Sequence, residues 1–528
     1  MAILVVGLVA IGARLAVLPI LPVPHPAVAD EFSFLLAANT FAHGRLTNPT
    51  PSMWKHFETL HVLMKPTFMS MYPPAQALFL AAGEVATGLP FAGVLLSAGL
   101  MCAAMVWMLQ GWFPPTWAFL GGLIAVMRFS VFNYWANSYW GGMVAALGGA
   151  LLLGALPRIV RLGRTRDAIW MGLGLAILAN SRPYEGLVFS LPVAFALFAW
   201  LFRQRGTELA KAMGRVIAPL TLVVLLAAAG MGYYFWRVTG SPVHIPEQVE
   251  EQQYMVAPNF LWGSLQPTPA YDQPAIRDFY LGSQLGFYKE RGTVIGLLGI
   301  EIVRFTDLWA FYLGPILTLP LLLALAGIPR NSVWARLDQR VHFLLIAAVI
   351  SAVGLSLEES YFDHYVAPVT CLIIALVIEA LRRVRAWRPR GLPSGRMIAR
   401  LVPTVCLLML VVRAGASSIG LPITPAWPPM PYNSTGGITE FTRVNRELDR
   451  YPGKHLVLLH YVRNGKVPGL WVYNEKGDIR AERNIWAWDM GPQKNRQLIR
   501  HYPNRDVWLV TPKGTGVKLS PYAAAADR

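Results

Sequence analysis

Uncharged apolar stretches of about 20 residues recur along this chain of 528 residues, each long enough to cross a hydrocarbon layer ~30 Å thick as a helix. With 55% hydrophobic and only 14% charged residues, the apolar surface is far more than one soluble core can bury. Candidate spans cover 2–22, 90–110, 115–133, 141–157, 166–181, 185–202, 214–237, 308–328, 341–357, 363–381 and 398–416, about 11 in all. The expected fold class is therefore mainly α: a polytopic helical membrane bundle with interfacial helices. The formal charge of +17 does not point to nucleic acid. The basic residues cluster between apolar segments, at Arg158–Arg166, Arg203–Arg215, Arg330–Arg340 and Arg382–Arg400, which reads as topology.

By the positive-inside rule those four connections are cytoplasmic, and alternation puts 30–89, 134–140, 182–184, 238–307, 358–362 and 417–528 on the outer face. Pro73–Thr87 must then lie along the outer interface, with Pro73 and Pro74 opening its first turn. The localisation implied is the cytoplasmic (inner) membrane, multi-pass, with a periplasmic outer face in a Gram-negative cell. Arg14 within the first segment and the lack of a basic stretch before it favour an anchor over a cleaved signal, despite the small residues Ala27-Val28-Ala29. Cys102, Cys371 and Cys406 all fall in expected spans, so the exported regions have no thiolate or disulfide chemistry.

Asp30-Glu31 stands where the first span ends. Charges at that depth are costly and usually serve binding or chemistry. The residues that follow suit a short amphipathic surface helix closing at Gly44, with Asp30 and Glu31 in its first turn, and as helix caps they need no further role. Capping leaves unexplained the loop Trp54-Lys55-His56-Phe57-Glu58-Thr59-Leu60-His61 and the segment Tyr72-Pro73-Pro74. The spacing of His56, Glu58 and His61 is irregular for chelation.

At Asp30-Glu31, His43-Gly44-Arg45-Leu46 and Tyr72-Pro73-Pro74 the chain resembles the GT-C membrane glycosyltransferases, in particular the protein O-mannosyltransferases and the lipid A aminoarabinose transferase. The topology match covers most of 1–416 and the motif match mainly 29–90. The resemblance implies transfer of a sugar from a polyprenyl-phosphate-linked donor to an envelope glycan, lipid or protein acceptor at the bilayer's outer face. It makes Asp30 the candidate general base and Glu31 its partner or an acceptor-binding group. One departure is Tyr72, which stands where the aminoarabinose transferase has lysine; Lys65 is the nearby substitute for phosphate contact. The 134–140 loop also lacks the further acid usual in the mannosyltransferases.

For the donor phosphate, Arg182 offers a fixed guanidinium fork, unless it is spent on Glu185 in a tight turn. Tyr139 and Trp140, with the aromatics before them, suit either sugar stacking or an interface belt. Glu358, Glu359, Asp363 and His364 are expensive at the entry of a span unless partnered. They suit a divalent cation, sugar hydroxyls, or counter-charges for Arg182, Arg45 or Lys65; His364, the deepest, is the phosphate candidate. No cofactor is certain. Loop 238–307, with Glu247, Glu250 and Glu251 near Tyr254, reads as a lid or acceptor wall.

The domain plan is 1–416 transmembrane, 417–432 a proline-rich linker, and 433–528 a small exported α/β domain. Strands are expected at His455–Val462, Leu470–Tyr473 and Val507–Val510, and helices at Gly437–Tyr451 and Lys494–His501. That domain has no phosphate loop or nucleophile elbow and serves acceptor binding or stabilisation. A transporter or lipid flippase is the rival reading; it requires a polar path to the inner side.

Overall fold

The computed structural model describes residues 1–326, 338–359, 361–388, 392–416, 418, 439–463, 471–514 and 516–522. The proline-rich linker, 417–432, lies outside them but for Ser418. The chain is mainly helical with a small sheet domain. Among the described residues seven helices are long and apolar enough to cross a membrane: Phe91–Trp112, Met143–Leu162, Pro183–Phe202, Gly206–Thr239, Val294–Ala326, Asp363–Ala386 and Ser394–Gly415. The other four expected spans form helices of 15 to 17 residues, Ala2–Ala16, Pro115–Phe129, Thr165–Ala179 and Gln339–Leu355. At 1.5 Å per residue these fall short of the ~30 Å hydrocarbon layer. Length and composition thus support a multi-pass membrane protein with seven candidate spans among the described residues.

The Pro73-Pro74 signature opens a helix at Ala75–Thr87, ended by Gly88 in the left-handed region. It packs so tightly on Phe91–Trp112 that a Cβ on Gly93 would lie 2.0 Å from the Phe79 carbonyl oxygen, and one on Gly83 2.1 Å from the Gly93 nitrogen. Neither backbone can yield without parting the helices. Gly93→Val is expected to destabilise the protein by about 1–3 kcal/mol, seen as a lowered Tm in detergent; an unchanged Tm would mean the helices are further apart.

The helix expected from Asp30 runs Ala29–Ala42, with Gly44 at a φ of 70° beyond its end. It is not an amphipathic surface helix. Residues 31–38 are all buried, because the C-terminal domain covers the face expected to meet water. Phe34, Leu35, Ala37 and Ala38 join the core of the helical bundle. On the other side Phe32 stacks on Tyr473 with ring centroids 3.9 Å apart, and Leu36 shares a core with Phe57, Val62, Leu456, Leu458 and Ile485.

That C-terminal domain is built on a four-stranded sheet. Strand His455–Leu459 pairs in parallel with Asn484–Trp488 on one side and Asp506–Lys513 on the other, and Gly516–Pro521 adds antiparallel to the last. Every residue of His455–Leu459 is buried, as a central strand requires. Helices Glu440–Leu448 and Pro492–His501 correspond to the two expected. The expected strand at Leu470–Tyr473 is a correction: Leu470 lies outside the described residues, and Trp471–Tyr473 is irregular. The Asn474 side chain instead bonds the Trp486 backbone through both its amide atoms, at 2.9 and 3.0 Å, taking the place of a ladder. Asn484–Trp488 is the strand that takes this position in the sheet.

Candidate active site

Asp30 sits in the first turn of Ala29–Ala42, where the helix dipole favours a carboxylate. The Tyr72 hydroxyl donates to Asp30 Oδ1. Tyr72 is fixed further by its ring, which stacks on Phe34 at 4.7 Å, and by its backbone N–H, which donates to Ser70 Oγ at 3.1 Å; Ser70 Oγ in turn lies 2.7 Å from Ser33 Oγ. Burial raises the Tyr72 phenol, with Asp30, Tyr365 and Glu247 adding to the rise, so it remains a proton donor to Asp30.

The Pro-Pro turn also links Asp30 to Arg182. Ala75 N–H donates to the Asn180 carbonyl at 2.9 Å, seating the Tyr72 segment on the turn that precedes Arg182. Arg182 Nη1 stands 3.5 Å from Glu185 Oε1, so the turn-closing ion pair is present, and the guanidinium also lies 4.3 Å over the Tyr365 ring. Burial pulls the guanidinium down, but Glu185, Tyr365, Tyr72 and Glu247 together more than offset it and hold it cationic.

Glu247 completes this cluster. It lies in the first turn of Pro246–Tyr254. Burial pushes its carboxyl up to about 7 against the pull of Arg182, with Glu185 and Glu250 raising it further. Sequence reasoning placed Glu247 only in a lid or acceptor wall. The signal was there in its spacing: Glu247, Glu250, Glu251 and Tyr254 fall at i, i+3, i+4 and i+7 after a proline, one face of a helix. Tyr365, beside His364, is the other residue missed; an aromatic at a span entry gives no signal of its own.

Glu31 is spent differently. It is fully buried, and its carboxylate accepts from Ala27 N–H at 2.8 Å, Val28 N–H at 3.3 Å and Tyr139 N–H at 3.0 Å. Burial pushes it up to about 7, the three donors oppose that, and Asp30 adds to the rise. Glu31 thus ties the start of the Asp30 helix to the 134–140 loop. Glu31→Gln puts an N–H₂ against backbone donors, and we expect a loss of about 1–3 kcal/mol. Thermal unfolding in detergent at pH 5, below the raised carboxyl value, checks this: a Tm equal to wild type there would contradict the anchor. The sign with pH follows from the raised carboxyl, whose stabilisation is full below its unfolded value near 4.5 and lost as pH rises through about 7. The wild type is therefore expected to lose Tm between pH 5 and 8 more steeply than Glu31→Gln.

The remaining expected residues separate into two groups. Glu358 is buried beside the cluster, and its carboxyl is pushed up, by burial first and then Glu185, against Arg182 and Arg304. His364 is buried, its Nδ1 2.9 Å from the Tyr134 hydroxyl and its ring 4.7 Å from Trp140. Tyr139 is held by Glu31 and by its own hydroxyl, which donates to Pro24 O at 3.0 Å. Trp140 packs rather than lining an open surface. Glu359 is bound through its carbonyl to Arg291 at 2.6 Å, and Asp363 is buried with Tyr312 donating to its carbonyl at 2.7 Å. Lys65 lies exposed over the Trp54 ring at 4.5 Å. Among the described residues no three carboxylate, imidazole or thiolate side chains are grouped to hold a metal ion. His56 bonds the Trp488 carbonyl at 3.0 Å and Glu58 accepts from the Tyr254 hydroxyl at 2.6 Å through one of its oxygens.

No protein-family model matches the chain, and no curated protein matches it. The structure is similar to that of the apo oligosaccharyltransferase of Archaeoglobus fulgidus, at 11% identity, covering 96% of this chain and 69% of that one, with a TM-score of 0.47. It is also similar to AglB, the archaeal oligosaccharyltransferase of the same organism, in complex with an inhibitory peptide and a dolichol-phosphate, at 11% identity, 97% and 69% coverage and a TM-score of 0.46. Likeness of this size leaves the chemistry to the side chains.

Proposed function

We propose that this chain is a membrane glycosyltransferase that moves a sugar from a polyprenyl-phosphate carrier to an acceptor hydroxyl at the outer face of the membrane. The observation that carries the reading is the convergence of Asp30 and Arg182, through Tyr72 and Tyr365, at the ends of apolar helices. A carboxylate base and a guanidinium at that depth suit a donor whose tail stays in lipid while its phosphate-sugar head reaches the interface.

In this mechanism Asp30 takes the proton of the acceptor hydroxyl as that oxygen bonds to the anomeric carbon. The bond from the anomeric carbon to the phosphate oxygen breaks, and the departing phosphate keeps the electron pair, its charge set against Arg182. Tyr72 holds Asp30 at one oxygen and leaves the other for the acceptor. Glu247, whose buried carboxyl is raised against the pull of Arg182, suits a sugar or acceptor hydroxyl.

The inner half of the bundle argues against the transporter reading. Glu379, an acid there, pairs with Arg382 at 2.9 Å and Arg383 at 2.8 Å. The test is the purified protein in nanodiscs with polyprenyl-phosphate-linked sugars, measuring released polyprenyl phosphate by mass spectrometry. Movement of the intact lipid-linked sugar between leaflets, without release, would replace this reading by the transporter.

A further inference from the structure

A cavity of about 490 Å³ lies between the C-terminal sheet and the 275–283 segment, outside the Asp30–Arg182 cluster. That volume falls within the ~300–1,000 Å³ typical of small-molecule pockets. Its floor is set by the sheet: His460 and Asp489 follow the adjacent parallel strands His455–Leu459 and Asn484–Trp488, at the carboxyl ends where open α/β sheets bind ligands. Their side chains are joined, His460 Nδ1 to Asp489 Oδ2 at 2.7 Å. Asp489 is held in turn by Asn495 at 2.7 Å, so the imidazole orientation is built in.

The walls combine ring faces with paired charges. Trp471 and Trp488 meet edge to face at 5.9 Å, and Phe279 stands perpendicular to Trp471 at 6.2 Å. The Trp488 N–H is already given to the Glu58 carbonyl at 2.6 Å, so Trp488 offers the cavity carbon surface. Opposite stands Asp278, which accepts from the Tyr461 hydroxyl at 2.9 Å and pairs with Arg277 at 2.9 Å and Arg463 at 3.5 Å. Both guanidinium groups in the wall thus pair with Asp278, and His460 with Asp489 behind it, which suits a ligand of hydroxyls better than an ion. A hydrocarbon chain would bury these charged groups with nothing to bond them. An extended peptide would seek an unpaired strand edge, whereas this cavity sits at strand ends.

We propose that this cavity binds a neutral saccharide, whose apolar C–H face packs on Trp471 and Trp488 while its hydroxyls bond Asp278, Arg463 and His460. Trp471 packs against the same buried cluster as Ala29, the residue before Asp30, so one apolar core joins the cavity wall to the start of the Asp30 helix. Its role as the acceptor subsite rests on the transferase reading; saccharide binding does not.

Detergent-purified full-length protein titrated with maltotriose and chitotriose, followed by tryptophan fluorescence and saturation-transfer NMR, tests this directly. Saturable binding of at least one trisaccharide is expected, weakened about five- to tenfold in Trp471→Ala and in Arg463→Ala. Arg463 is 76% exposed, so its removal leaves the fold intact. Asp30→Asn should bind the sugar as wild type does. Failure of both trisaccharides to bind, or binding unchanged in both cavity variants, overturns the site even if transfer is observed. Binding without any transfer would sink the transferase reading and leave the saccharide site standing.

Discussion

Asp30→Asn is expected to lower sugar transfer by about 10²–10⁴-fold, the contribution of a positioned general base, while the protein inserts and unfolds as wild type. The amide cannot take up the acceptor's proton. It is nearly isosteric, its carbonyl still accepts from the Tyr72 hydroxyl, and an uncharged side chain in the first helical turn forgoes at most about 1 kcal/mol of dipole stabilisation. Turnover should therefore fall far more than Tm. Wild-type turnover in Asp30→Asn removes the carboxylate from the mechanism and with it the main support for a transferase. Tyr72→Phe separates orientation from proton transfer: the base remains and only its hydrogen bond is lost, so a smaller drop than that of Asp30→Asn is expected.

Arg182→Ala is expected to cost about 2–4 kcal/mol of transition-state stabilisation, a drop of roughly 30- to 1,000-fold in turnover. The variant also leaves Glu185 buried without its partner, and an orphaned buried charge destabilises by itself. Arg182→Ala/Glu185→Gln resolves the two effects. Removing the stranded charge restores the Tm in either case. If the arginine holds the departing phosphate, turnover stays low. Recovery of turnover along with Tm would show that the pair only closes the turn between Thr165–Ala179 and Pro183–Phe202. Arg182→Lys, which keeps the charge and loses the bidentate fork, belongs between wild type and Arg182→Ala.

Parts of this site were legible in the chain because they are local. The break between an apolar stretch and Asp30-Glu31, the Pro-Pro opening of a helix and the Arg182-Pro183 turn each declare themselves within a few residues. Glu31 read as the partner of Asp30 or an acceptor-binding group, and nothing near it in sequence reveals the Tyr139 N–H it accepts from, 108 residues away. Lys65 sits seven residues before Tyr72, yet cation–π contact with Trp54 takes it elsewhere. Glu359 and Asp363 sat beside Glu358 in an acidic run, but the turn into Asp363–Ala386 gives them different surroundings. Only Glu358 is left beside Arg182 and Glu185.

What the sequence by itself determined is the class of molecule: apolar length, basic connections and two periodicities make a multi-pass helical protein with a small α/β domain. Those are properties of neighbouring residues, fixed by the cost of burying charge and unbonded backbone. The tertiary structure decided that the C-terminal sheet closes directly over the Asp30 helix. Trp488 reaches Glu58 across 430 residues, and Phe32 stacks on Tyr473. It also decided which of many outer-loop acids meets the arginine. These depend on how separate segments fill one another's surfaces, a matter of packing that no local pattern of residues encodes.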